Sequence, residues 1–227
     1  MDNAISQSLF KLNRQGFAIA LPIFLIPCMW AVFQIFARLF EHPLGYLLSM
    51  LVYWVVWCTL LPLALVGGWS GFLDLFRPMP SLKQLGWKTS LLLGWPLIFP
   101  LVFMVIPKIA ATPLIILAAS VVNGVLIGVT EEVLWRGVYL RLFPQNRWLN
   151  LLYPSLMFAL WHIAPLSVVV NRMPGGVFSF LAYALLLGLS YGVAARRTGS
   201  IAWPTISHVL HDSLGLSGFM YAVWLLR

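Results

Sequence analysis

The residues of this chain that could do chemistry are a few polar side chains inside apolar sequence. They occur at four places: Glu131-Glu132, His162, His208 and His211-Asp212. An ionisable side chain inside a membrane span costs about 2.5–3.5 kcal/mol on insertion scales, so each is a functional hypothesis by default. A carboxylate beside an imidazole can bind and deprotonate a water that attacks a carbonyl carbon. A second imidazole can then donate to the oxyanion.

The same residue types could instead bind a divalent metal such as zinc. However, the chain contains no His-Glu-x-x-His motif, and the His-x-x-His pair of His208 and His211 is a weak metal signal. The sequence therefore favours direct water activation without a cofactor, and a metal-dependent version stays open.

Helical spacing assigns different roles to the two glutamates. Glu132 and Arg136 stand at i and i+4 and can pair on one face of a helix. Glu131 points about 100° away from them, because a helix has 3.6 residues per turn. We therefore expect Arg136 to brace Glu132 and Glu131 to remain free. Two further pairs share a face at the same spacing, Phe158 with His162 and His208 with Asp212.

The composition shows what kind of element must position these residues. Of 227 residues, 61% are hydrophobic and 9% are charged, and the mean hydropathy is +0.92. An ordinary soluble domain carries about 25% charged residues. The expected fold class is therefore all-α, a polytopic integral membrane protein. The net charge of +8 is explained by Lys and Arg in short segments between spans, so no nucleic-acid partner is expected.

Apolar runs predict seven or eight transmembrane helices around a polar intramembrane cavity, within a single membrane domain, 1–227. The expected spans are 17–37, 43–66, 89–106, 112–142, 149–170, 177–195 and 200–226, the last being one kinked helix or two shorter ones. We expect N-terminal spans in 1–111, the catalytic core in 112–215 and the end of the last span in 216–227. The pairs Gly124/Gly128 and Gly188/Gly192 fit close helix packing.

Basic residues predict the orientation and the depth of the site. With a cytoplasmic N-terminus and seven spans, ten Lys and Arg residues fall inside and four outside, as the positive-inside rule favours. At about 1.5 Å per residue, Glu131 lies about 15 Å, His162 about 18 Å, His208 about 13 Å and Asp212 about 20 Å from the cytoplasmic ends of their spans. One shared layer is therefore expected.

These residues resemble a known family. Glu131-Glu132-x-x-x-Arg136, Phe158-x-x-x-His162 and His208-x-x-x-Asp212 are similar to the three motifs of the CAAX protease and bacteriocin-processing (CPBP or Abi) family of intramembrane endopeptidases, over about 123–215. The resemblance implies a helical fold with a cavity open towards the cytoplasm, and cleavage by a glutamate-activated water. Glu131 would be the general base and His162 its partner. His208 and residue 212 would stabilise the oxyanion, with Glu132 and Arg136 in support.

One position departs from the family pattern. The family usually has Asn where this chain has Asp212, and an ionised aspartate cannot donate to an oxyanion. Asp212 would function if protonated, if it orients His208 or His211, or if it binds a metal. His211 is a possible substitute donor.

Three functions are compatible with this pattern. The first is an intramembrane peptidase acting on a membrane-associated protein or peptide, in a prokaryotic plasma (inner) membrane. The second is a non-enzymatic immunity or scaffold protein that binds a peptide in the bilayer. The third is a transporter with a proton relay, which the lack of detectable inverted repeats disfavours. The sequence does not predict the substrate or the oligomeric state.

Overall fold

The computed structural model describes residues 2–41, 43–169 and 175–220, with side chains given outside 2–12, 104, 108 and 216–220. The end of the expected last span, 221–226, and the loop residues 171–174 lie outside the described residues. Every regular element in the described ranges is helical. The all-α fold expected from the composition is therefore confirmed.

The described part of the chain has eight main helices, and two short helical segments, Ile106–Lys108 and Ile109–Ala111, lie between the fourth and the fifth. The main helices are α1 Asp2–Leu39, α2 Leu44–Val66, α3 Gly68–Asp74, α4 Leu82–Phe103, α5 Leu114–Leu142, α6 Trp148–Leu166, α7 Gly176–Thr198 and α8 Ala202–Met220. Wider π-helical stretches lie within α2, α5 and α6, at Tyr53–Leu60, Val133–Val138 and Trp148–Leu152, and a fourth, Leu101–Val105, begins in α4 and ends just beyond it. Such stretches are frequent at functional sites, and the stretch in α5 directly follows Glu131-Glu132.

The number of spans differs from the expected seven or eight. Among the described residues, six helices are long and apolar enough to cross a membrane, namely α1 from Asn13 onwards, α2, α4, α5, α6 and α7. Helix α8 is not among them because His208, His211 and Asp212 lower its mean hydropathy. Between Ala202 and Met220 the last apolar region is one continuous helix. The protein is an integral membrane protein.

The most extensive helix pairing joins α5 to α8, and two glycines make it possible. A Cβ atom on Gly128 would lie 2.6 Å from the Val209 nitrogen, and one on Gly124 would lie 2.7 Å from the Ser213 nitrogen. Both distances are shorter than real contacts, so the two backbones approach as closely as only glycine allows. The second expected pair packs α7 on α6, where a Cβ on Gly188 would lie 3.1 Å from the Ser155 Cα.

Helix α1 is fastened to the helices that carry the polar residues. The Tyr139 hydroxyl of α5 donates to the Ala18 carbonyl at 2.8 Å, and the Tyr153 hydroxyl of α6 donates to the Ile19 carbonyl. Gln15 donates to the Leu142 carbonyl at 2.7 Å. These bonds fix the heights of α5 and α6 against a common neighbour. The division at 111 and 215 stays a prediction.

Candidate active site

The Glu132 carboxylate forms a buried ion pair one helical turn from its partner. Its Oε1 lies 2.8 Å from Arg136 Nη1, with both side chains at most 2% exposed. The N–H bonds of Arg136 are not directed along this contact, and neither terminal nitrogen has a hydrogen-bond partner among the described residues. The contact is therefore an ion pair held by charge and packing. The spacing of the residues predicts this pairing.

Aromatic rings complete the surroundings of the Arg136 guanidinium. Its central carbon lies 4.4 Å from the centroid of the Phe158 ring and 5.5 Å from that of Tyr191. A cation over an aromatic face gains about 0.5–2 kcal/mol, more when water is excluded. Phe158 thus contributes to the support of the site from α6, beyond sharing a face with His162.

His208 lies at the centre of the polar cluster. Its Nδ1 is 2.8 Å from Glu132 Oε1, and its Nε2 is 3.4 Å from Asp212 Oδ2 and 3.8 Å from Glu131 Oε2. An ionised carboxylate only accepts hydrogen bonds, so these neighbours favour a proton on both ring nitrogens. Glu132 therefore braces His208 as well as Arg136. Sequence spacing gives no sign of the pairing between Glu132 and His208, because it joins two helices.

Tyr53 of α2 is a site residue that the sequence analysis missed. Its hydroxyl accepts a hydrogen bond from Trp135 Nε1 at 2.9 Å, and its ring stacks on Trp161 with centroids 3.7 Å apart. The same hydroxyl lies beside the Glu131 carboxylate and the Cys58 thiol. Because the Trp135 N–H occupies one lone pair of the oxygen, the Tyr53 O–H remains to be donated. In the sequence, the signal for this role is a tyrosine within an apolar span.

His162 stands where α6 is interrupted. Pro165 lacks the N–H that would bond the Trp161 carbonyl, and the regular helix stops after Trp161. The His162 Nδ1 lies 2.8 Å from the Phe158 carbonyl. A carbonyl only accepts, so Nδ1 carries the proton and the neutral ring keeps its lone pair on Nε2.

Phe158 contacts both His162 and His208. The Phe158 centroid lies 4.9 Å from that of His162 and 6.1 Å from that of His208, edge to face in both cases. Within the described part of the chain, no direct hydrogen bond joins His162 to Glu131. Their expected partnership in holding a water therefore stays a prediction.

Asp212 lies between two imidazoles. Its Oδ1 is 2.9 Å from His211 Nδ1, and its Oδ2 faces His208 Nε2. The other ring nitrogen of His211 is 3.0 Å from the Tyr183 hydroxyl. Both nitrogens of His211 are thus engaged within the protein. The substitute-donor role expected for His211 would require one of these bonds to break.

The exposed fractions of the side chains show from which side the cluster is reached. Glu132, Arg136, His208 and Glu131 are at most 4% exposed, whereas His211 and Asp212 are 14% and 16% exposed. His211 and Asp212 therefore form the more accessible edge of the cluster, and Glu132 with Arg136 forms its buried part.

The arrangement of His, Cys, Asp and Glu side chains bears on whether the site could bind a metal ion. Among the described residues, no three His, Cys, Asp or Glu side chains are arranged to hold a metal ion. The expected absence of a cofactor stays a prediction that metal analysis can test.

The fold and the cluster together define a class: an integral membrane protein with buried carboxylates and imidazoles shared between α5 and α8. The family model described as type II CAAX prenyl endopeptidase Rce1-like matches residues 112–214. This match covers every site residue expected from the sequence and confirms the resemblance to the CAAX protease family. No curated protein and no solved structure matches the chain.

Proposed function

We propose that this protein is an intramembrane endopeptidase that hydrolyses a peptide bond of a membrane-associated protein or peptide. The family match supports a protease acting on a peptide substrate in a lipid bilayer. The water-activating mechanism, the plasma-membrane location and the cytoplasmic N-terminus are parts of the proposal.

The observation that carries the mechanism is the unequal setting of the two glutamates. Glu132 is fully buried and contacts both Arg136 and His208 at 2.8 Å. Glu131 has no such partner: its nearest ion-pair contact in the described residues is His208 Nε2 at 3.8 Å. That separation is too long for a hydrogen bond. Glu131 is therefore the carboxylate free to bind a water.

In the proposed reaction, the water is held between Glu131 and the Nε2 lone pair of His162. Glu131 takes a proton from the water, and the hydroxide forms a bond to the carbonyl carbon of the substrate. The N–H at His208 Nε2 donates to the oxyanion. When the tetrahedral intermediate collapses, the C–N bond breaks and Glu131 returns the proton to the leaving amine. General acid–base catalysis of this kind contributes about 10²–10⁴-fold in rate.

The test begins by finding the substrate. Cells with the wild-type protein and with Glu131→Gln are compared by proteomics for a precursor that accumulates in the variant. The precursor is then incubated with each purified protein in lipid vesicles. We expect Glu131→Gln to lower turnover by about 100-fold or more. Glu41→Gln is the matched control, because Glu41 is exposed at the end of α1 and should retain full activity.

Two other outcomes would each support a different function. Unchanged turnover and unchanged precursor levels in Glu131→Gln would leave the peptide-binding role as the better account. Loss of activity on chelation, with stoichiometric bound metal in the purified protein, would show a metal-dependent hydrolase instead.

A further inference from the structure

A row of hydrogen-bonded groups leads from α7 into the centre of the site. The Tyr183 hydroxyl of α7 lies 3.0 Å from His211 Nε2, and His211 Nδ1 lies 2.9 Å from Asp212 Oδ1. Asp212 Oδ2 in turn lies 3.4 Å from His208 Nε2. Tyr183 therefore reaches the central imidazole through two intervening side chains.

The chemistry of the donors fixes the direction of the first two bonds. Asp212 accepts at Oδ1, so the Nδ1 of His211 carries a proton. In a neutral ring the Nε2 then holds a lone pair, and it must accept the Tyr183 O–H. The Pro96 carbonyl, at 3.4 Å, is a more distant acceptor for the same hydroxyl. Tyr183 thus selects one tautomer of His211.

The third link, an ion-pair contact between Asp212 and His208, determines what Asp212 can do. One of its oxygens receives the His211 N–H and the other faces His208, so both act as acceptors. On the opposite edge, His208 donates from Nδ1 to Glu132. With a carboxylate at each nitrogen, the His208 ring is held in its doubly protonated form. Its Nε2–H then points towards Glu131 and Asp212, the accessible side of the cluster.

Packing keeps the Tyr183 hydroxyl in place. The Tyr183 ring contacts Trp95 edge to face and Phe99 in a tilted arrangement, with centroids 5.9 Å and 5.4 Å away. Trp95 is itself fixed by a hydrogen bond of 2.9 Å from its Nε1 to Ser190. An aromatic side chain held by α4 in this way has little freedom to turn its hydroxyl from His211.

We propose that Tyr183 is a positioning residue of the site: through His211 it holds Asp212 as an anionic acceptor, and Asp212 keeps His208 doubly protonated with its Nε2–H available to the oxyanion. Position 212 acts in this chain by charge and not by donating a hydrogen bond. The catalytic part of this inference rests on the proposed function. The protonation states of the His208 and His211 rings can be measured without any turnover.

The protonation states of the histidine rings can be measured directly by NMR. The chain has four histidines, so protein labelled with ¹⁵N only in histidine gives few signals. Long-range ¹H–¹⁵N correlation in detergent distinguishes the two neutral tautomers from the imidazolium, and replacing each histidine in turn assigns the signals. We expect His211 as the neutral Nδ1–H tautomer and His208 as the imidazolium. A neutral His208 ring in the wild-type protein would overturn the proposal.

Three variants test the links between the groups. Tyr183→Phe should shift the Nε2 signal of His211, and Asp212→Asn should convert His208 to a neutral ring. Tyr153→Phe, which removes a hydroxyl that donates to the Ile19 carbonyl of α1, should leave both rings unchanged. The relay is the series of contacts from Tyr183 through His211 and Asp212 to His208. Unaltered ring signals in Tyr183→Phe and Asp212→Asn would refute it, whether or not the protein cleaves a substrate.

Turnover tests the catalytic part. Tyr183→Phe should lower kcat by about two- to tenfold, the effect of one hydrogen bond, and Asp212→Asn by about 10- to 100-fold, the effect of a charged partner. KM should stay the same in both. If Asp212→Asn is as active as the wild type while Glu131→Gln is inactive, the relay fails and the proposed peptidase stands. If Glu131→Gln is fully active, the proposed peptidase fails, and the ring states still decide the relay.

Discussion

Replacing Gly128 with alanine should separate the two helices that share the site. Gly128 lies on α5, one turn before Glu132, and faces Val209, the residue that follows His208 on α8. The new Cβ would lie 2.6 Å from the Val209 nitrogen and 2.8 Å from its Cγ2. Unstrained contacts between heavy atoms lie at about 3.5–4.0 Å. The backbones must therefore move apart by about 1 Å, since a backbone nitrogen cannot rotate away.

The same movement would act on the bond between Glu132 and His208. Lengthening a contact of 2.8 Å by about 1 Å takes it beyond hydrogen-bond distance. A displacement of this size in a catalytic group can reduce the rate by about 100-fold. We therefore expect Gly128→Ala to lose about 100-fold in turnover while the protein still inserts into the membrane.

The measurement is the initial rate of precursor cleavage in vesicles, with unfolding in detergent followed in parallel. Gly94→Ala is the matched control, because Gly94 lies in α4 with nothing within 4 Å of the added Cβ. It should cleave at the wild-type rate. If Gly128→Ala cleaves as fast as Gly94→Ala, the close approach of α5 and α8 does not set the geometry of the site.

Three further predictions concern the parts of the site. Glu132→Gln should lower the free energy of unfolding by about 3–5 kcal/mol, because it leaves the buried Arg136 charge unpaired; unfolding titrations should show this, and wild-type stability would contradict it. Tyr53→Phe should lower turnover by about two- to tenfold through loss of a hydroxyl that can donate to Glu131, with Tyr139→Phe as the hydroxyl-deletion control remote from Glu131. Treatment with a chelator should leave turnover unchanged. Loss of activity on chelation, with recovery on adding zinc, would contradict the water-activating mechanism.

Local periodicity explains what was predictable about the site. The pairing of Glu132 with Arg136 and the common face of Phe158 and His162 both follow from the rise and turn of a helix. Each relation involves residues four apart in one helix, so no knowledge of its neighbours is needed. The glycine pairs were likewise predictable as packing surfaces, although not the identity of the helices they contact.

Contacts between helices could not be predicted in the same way. Tyr53 approaches Glu131 from α2, and Tyr183 approaches His211 from α7. In a bilayer, nearly every apolar face can meet either lipid or another helix, so the sequence of α2 does not say which face is inside. The count of spans also depended on α8, whose polar residues contact polar groups of α5 and α7.

By itself, the sequence determined that this chain is a helical membrane protein, because apolar runs are a local property. The rise of a helix predicted one layer for the ionisable residues within the spans, and that depth stays a prediction. The family resemblance came from the same local motifs. Only the tertiary structure decided which groups meet: that His208 lies between Glu132 and Asp212, and that Asp212 lies between the imidazoles of His208 and His211. The reason is physical, since the charge and hydrogen-bonding state of a buried side chain depend on its neighbours from other helices, and these are set by packing.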